Sequence, residues 1–299
     1  MLRHLQIVAL TVFSCTFGIA QILPSRNLLA DPLADTSGTF GLLSRSHFYG
    51  ELARGFNSAG DDRAWDATIG GFVDLFRWDS GTALRARLAQ DLFGNSLTHD
   101  IHFKARAMEY EENISGVFHN DSFDWELGAS YRCKHDIDNT DNPTSSVTPA
   151  IDSIPQKRVL ILGGLYGVIS PDPILLAPSL LLKGFARADY YLVHEDNRFP
   201  ANADGMLWSN VRASMTLGAR LDFACLSKFS LYTFDWFNPV FATGAGPNAE
   251  SNERVEAGGR FAGAFGGLSV FVAFEHWFDD LSIPVPRESN VVSVGLRIN

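Results

Sequence analysis

Strict alternation of apolar and polar residues is the feature that most limits how this chain can fold. Phe123 to Lys134 reads Phe-Asp-Trp-Glu-Leu-Gly-Ala-Ser-Tyr-Arg-Cys-Lys, with odd positions apolar or aromatic and even positions charged, small or hydroxylated. A helix would scatter these residues around its circumference, whereas a strand sorts them onto two faces. Met206 to Phe223 repeats the pattern: Leu207, Val211, Ala213, Met215, Leu217, Ala219, Leu221 and Phe223 fall on one face. Asn210, Arg212, Ser214, Thr216, Gly218, Arg220 and Asp222 fall on the other. At roughly 3.3 Å per residue, this segment is long for a strand in a soluble domain. A tilted membrane strand uses about 9–11 residues inside the bilayer and tolerates extensions beyond it.

The same period predicts strands near 47–57, 64–78, 82–92, 101–112, 123–135, 157–169, 180–194, 206–224, 228–238, 253–265, 268–279 and 289–298. Short links such as Asp79-Ser80-Gly81 and Gly266-Gly267 fit tight turns. Longer links, Asp138 to Pro155 and Gly244 to Asn252, are rich in Asn, Asp, Ser, Pro and Gly. The expected fold is all-β: a transmembrane antiparallel up-and-down β-barrel of about 12 strands, with 10–14 as the range. Nothing in the pattern marks an internal domain boundary.

The first twenty residues, MLRHLQIVALTVFSCTFGIA, have the layout of a cleaved export signal: basic Arg3, an apolar stretch from Leu5 to Phe17, and a small-residue exit at Gly18-Ile19-Ala20. The expected organisation is thus a signal peptide at 1–20, a periplasmic or plug-like segment at 21–46, and an outer-membrane barrel over 47–299. No later apolar run reaches 18 residues, so no helical span is expected. The mean hydropathy near zero does not argue against a membrane barrel, because two unlike faces cancel in the average. With 24 basic against 34 acidic residues and a formal charge of −10, the chain lacks the basic surplus of a nucleic-acid binder. Cys133 and Cys225 remain after cleavage, and an oxidising compartment leaves their pairing open.

Lipid offers no water to charged groups, so the polar face of each strand is expected to point into the lumen. Arg85, Arg87, Lys104, Arg106, Arg132, Lys183, Arg187, Asp189, Arg212, Arg220 and Asp222 are the expected lumen-lining residues. The six tryptophans, at 65, 78, 125, 208, 236 and 277, lie in or beside the strands, and several are placed as an aromatic girdle requires.

In format, the whole mature chain resembles bacterial outer-membrane β-barrels. Leu28-Leu29-Ala30-Asp31-Pro32-Leu33 resembles the opening of an uncharacterised family of exported barrel-like proteins, and Tyr131 to Asn139 occupies the place of that family's His- and Asp-containing segment. The resemblance implies an outer-membrane location, with membrane lipids and the barrel-assembly machinery as partners, a small polar solute as cargo, and no nucleic acid and no cofactor. It brings no settled activity. The chain departs from the usual outer-membrane ending, closing on Leu296-Arg297-Ile298-Asn299 rather than on an aromatic.

Candidate chemistry is sparse. Glu126, Ser130 and His135 are the residue types of a lipid-deacylating serine hydrolase, but parity places His135 on the face opposite the other two. His135, Asp136 and Asp138 are candidate cation ligands at a strand-to-loop junction, without a recognised metal spacing. The expected function is a structural or small-solute pore barrel, with a non-enzymatic role favoured. The alternatives are an outer-membrane lipid hydrolase or acyltransferase, and a soluble secreted calyx that binds a small ligand.

Overall fold

The computed structural model describes residues 41–56, 64–78, 81–95, 104–120, 122–136, 159–196, 206, 208–244, 246–263, 266–279 and 288–298. The expected export signal, and the rest of the chain up to residue 40, lie outside them. The first strands are β1 (Gly41–Phe56), β2 (Trp65–Arg77), β3 (Ala83–Asn95), β4 (Lys104–Asn120), β5 (Phe123–Asp136), β6 (Val159–Pro171) and β7 (Ile174–Ala177). They are followed by β8 (Leu180–Asp196), a one-turn 3-10 helix (Trp208–Asn210), β9 (Val211–Leu226), β10 (Phe229–Ala242), β11 (Ala249–Gly263), β12 (Gly266–Trp277) and β13 (Ser289–Ile298).

Consecutive strands pair antiparallel, β1 pairs with β13, and β6 pairs with β8, so twelve strands close a ring. The four-residue β7, which the alternation did not predict, pairs with the start of β8 beside that ring. β1 begins at Gly41, inside the segment expected to precede the barrel. The strand ends flanking the short connections of β2–β3, β4–β5, β9–β10 and β11–β12 lie at one mouth with the start of β1 and the end of β13. The longer connections, including 137–158, 197–210 and 278–288, leave from the opposite mouth. At the short-turn mouth Gly81, with φ of 80°, closes the β2–β3 hairpin: Trp78 N donates to Thr82 O and Gly81 N to Trp78 O, both at 2.9 Å.

The ring is turned inside out relative to a soluble barrel. Along β13, Arg297 is 2% exposed while Ile298 is 65% exposed, and the two faces alternate through the strand. Leu88, Leu127, Leu165, Val272 and Leu296 stand on the outer wall, while Arg85, Arg187, Arg254 and Arg297 are buried inside. A barrel with leucines outside and arginines inside has the polarity of a transmembrane barrel, whose outer face meets hydrocarbon.

Four inward aromatic rings are seated over the glycine directly opposite them on the next strand: Tyr49 on Gly70, Phe185 on Gly218, Tyr232 on Gly258 and Phe271 on Gly295. A Cβ at Gly295 would lie 2.3 Å from the Phe271 ring, and one at Gly218 would lie 2.2 Å from that of Phe185. The missing side chain makes room for a ring to lie flat against the wall of the lumen.

Two sequence expectations change. In the β9–β10 register Val211 faces Ala242 and Ala213 faces Phe241, which leaves Arg212 as the extra residue of a bulge. The bulge reverses parity, so Val211 is buried inside rather than lipid-facing. Arg212 is left part-exposed at the long-loop mouth, its Nη1 2.9 Å from His194 Nε2. Trp208, Trp236 and Trp277 are buried within the barrel, so they do not belong to an outer girdle. Trp78 is exposed on the outside, as a girdle residue would be.

Candidate functional site

The chemistry of the chain is concentrated in the lumen, where two hydrogen-bonded ionic networks occupy different parts of the wall. The first joins β1, β10, β11, β12 and β13. Arg297 donates from Nε to Glu51 Oε2 and from Nη1 to Glu256 Oε1, both at 2.8 Å. Arg254 reaches Glu51 at 3.2 Å and Glu256 at 2.5 Å, and also bonds Glu275. Tyr232 donates to Glu256 Oε1 at 2.6 Å. The Arg254–Glu51 bond bridges from β11 to β1 past the two strands between them.

The second network runs from β2 to β9. Arg85 pairs with Asp74 at 2.7 Å and lies 3.7 Å above the Phe72 ring. Arg87 donates to Glu126 at 3.2 Å, and Glu126 also accepts from Ser115 at 2.7 Å and from Tyr166. Arg187 stacks on Tyr166 at 4.3 Å and binds Glu111 at 2.8 Å and Asp189 at 2.7 Å. Arg132 joins Glu111, Asp189 and Tyr191, and the Tyr191 hydroxyl meets Ser214 Oγ at 2.7 Å. These groups are nearly all buried, so each charge is held by neighbours rather than by water.

Apolar layers fill the space around the networks. Val117, Val168, Phe185, Phe234, Trp236, Phe271 and Trp277, drawn from strands around the ring, form one inner cluster. A second cluster at the long-loop mouth packs Leu160, Leu162, Val211 and Val240 beneath Trp208. Trp208 stacks on Phe278 at 5.4 Å, and its Nε1 donates to Asp279 Oδ2 at 2.5 Å. Trp208, just ahead of β9, is thereby tied to the residues that follow β12. A cavity of about 10 Å³ lies between Ala53, Asp66, Arg254, Glu275 and Ser293, room for about one water.

Of the residues singled out in sequence, Arg85, Arg87, Arg132, Arg187 and Asp189 are buried in the second network. Lys183, Arg220 and Asp222 form a separate group near the short-turn mouth. Lys104 and Arg106 lie in β4, but their side chains are outside those described, as are those of His135 and Asp136; Asp138 lies outside the described residues. Ser130 is buried on the inner face of β5, four residues from Glu126, hence roughly 13 Å along the strand. Both oxygens of Glu126, a candidate in the hydrolase trio, are engaged by Arg87, Ser115 and Tyr166. Among the described residues no group of His, Cys, Asp or Glu is placed to hold a metal ion. Cys133 and Cys225 are not joined by a disulfide.

Sequence reading missed Glu51, Glu111, Glu256 and Glu275, the acids that match the arginines. Their parity was available, since each occupies an inward position of its strand. It also missed a polar patch on the outer wall near the long-loop mouth. There His276 Nδ1 lies 2.5 Å from Asn290 Oδ1, with Glu288 at 3.9 Å from its Nε2 and Glu253 opposite it in the β11–β12 register.

No protein-family model matches the chain, and no curated protein does so. Similar solved structures include the outer membrane phospholipase A from Escherichia coli, 14% identical with a TM-score of 0.46, covering 86% of this chain and 98% of that one. LpxR from Salmonella typhimurium is 10% identical with a TM-score of 0.43, covering 85% and 99%. The CymD monoaromatic hydrocarbon channel is 10% identical with a TM-score of 0.41, covering 95% and 94%. The names include both a phospholipase and a channel, so the likeness makes no choice between lipid chemistry and transport.

Proposed function

We propose that this chain is an outer-membrane barrel with a closed lumen, serving as a structural element of the membrane rather than as a diffusion pore. The inverted polarity of its wall supports the membrane location. The observation that carries the closed state is the lumen itself: two salt-bridged networks and two apolar clusters occupy the space a solute would need. Opening such a path means unpairing buried charges, at a cost of about 3–5 kcal/mol for each partner removed. Purified protein in planar bilayers is expected to give no stepwise conductance. Reproducible single-channel openings from the unmodified protein would overturn the reading.

A second reading, lipid chemistry on the outer wall, draws on the His276–Asn290 pair, an imidazole oriented by an amide where lipid headgroups pass. It requires a nucleophile, which no described contact supplies. Fatty-acid release from phospholipid micelles that His276→Ala abolishes would favour this reading. Equal release from both proteins, or none, would remove it.

A further inference from the structure

The lumen arginines described so far each touch a carboxylate. The group at the short-turn mouth is different. Lys183 on β8 stands directly opposite Arg220 on β9, and Arg260 projects from the inner face of β11 nearby. Like charges directly opposite across a strand pair destabilise it unless something lies between them. The acid in this group is Asp222: its Oδ1 accepts from Arg220 Nε at 2.9 Å and Nη2 at 2.8 Å, while Lys183 Nζ is 3.5 Å from its Oδ2. Asp222 thus meets Lys183 and Arg220 directly, and Arg260 lies close enough to interact electrostatically with Arg220 and Asp222, so among these four side chains three cations face one carboxylate, a surplus of two positive charges. The other networks show no such surplus.

A second observation points to the same place. Arg260 Nε is buried and has no hydrogen-bond partner among the described residues. Ser269 on β12, 1% exposed, is directly opposite Arg260 in the register, and its hydroxyl is also buried without a partner among them. Leaving such donors unmet costs stability, so paired orphans of this kind call for a ligand. Arg220 is held in place by the Tyr232 ring, 4.0 Å below it, and Tyr232 is in turn fixed to Glu256. The site is reachable: the Lys183 side chain is 26% exposed, and Lys183, Arg260 and Ser269 each lie one turn of the pleat inside the short-turn mouth.

We propose that Lys183, Arg220, Arg260 and Ser269 form a binding site for a doubly charged oxyanion of the phosphate class at the short-turn mouth of the lumen. Two surplus charges match a dianion, a guanidinium suits its paired oxygens, and the serine hydroxyl supplies one more donor. The phosphate is either the free ion or the headgroup of a phosphorylated lipid, which present the same chemistry to these groups.

The test is isothermal titration of the detergent-solubilised mature protein with sodium phosphate, and separately with short-chain phosphatidate, at ionic strength held constant with sodium chloride. Saturable binding is expected, weakened about 10-fold or more in Arg260→Gln and about 3-fold in Ser269→Ala. Tighter binding of phosphate identifies the free ion, and tighter binding of phosphatidate the lipid; both support the site. Arg260→Gln is also expected to unfold no earlier than the parent in the absence of phosphate, since it removes one of three crowded cations. Should that variant not fold, Ser269→Ala decides, because it deletes a single hydroxyl. Heats no larger than those of chloride, or binding unchanged in Lys183→Gln, Arg260→Gln and Ser269→Ala alike, would sink the proposal. The isotherm is independent of conductance, so a barrel that conducts leaves this site to be judged separately.

Discussion

At the scale of single residues, the interior depends on side chains that are absent as much as on those present. Phe271 can lie flat because position 295 is glycine, and Arg254 and Arg297 stack 5.2 Å and 4.8 Å from its ring. A larger residue at 295 pushes the ring into the arginines and disturbs their bonds to Glu51 and Glu256. Gly295→Val is therefore expected to destabilise the barrel by about 1–3 kcal/mol through overpacking, measured by urea unfolding in detergent. Adding Phe271→Ala to Gly295→Val should recover part of that loss. A fully additive double variant would show that the ring and the glycine do not share a space.

At the scale of the strand, orientation follows from parity, but only between bulges. Leu217 is exposed on the outer wall, and Leu217→Arg is expected to cost about 2–4 kcal/mol where it faces the bilayer centre, blocking assembly in a vesicle-refolding assay. Arg212→Leu is expected to change stability by no more than about 1 kcal/mol, because this arginine sits part-exposed at the rim beside His194. Comparable losses in the two variants would show that Arg212 is not a part-exposed rim residue. This pair also marks what the sequence could tell. Alternation made the twelve ring strands readable, and it put Arg85, Arg132 and Arg187 inside. It could not reveal that one extra residue at 212 turns Val211 inward, because a bulge has no period of its own. Nor could it match Arg187 with Glu111, or Arg254 with Glu51, since partners 76 and 203 residues apart meet only through the order of the ring. Nor could it sort the tryptophans: an aromatic at a strand position serves a girdle or a lumen equally well until its neighbours are known.

At the scale of the molecule, the ring is closed by one seam, where β1 meets β13 from Gly50–Ile298 to Phe56–Val292. The Glu51–Arg297 ion pair joins the two sides of that seam across 246 residues. Removing residues 289–299 is expected to leave no compact, heat-modifiable band on a gel, whereas the full chain should show one after refolding. Loss of β13 opens the seam and strands Glu51 and Glu256 without Arg297. The seam also has a consequence in time. β1 and β13 stand at opposite ends of the run of ring strands, so the outer edge of β1 has no mate until every strand between them has been placed. Every intermediate along that interval carries an unsatisfied edge, and closure can come only as a final, collective event. A chain built this way either completes its circle or has no stable shorter form to rest in.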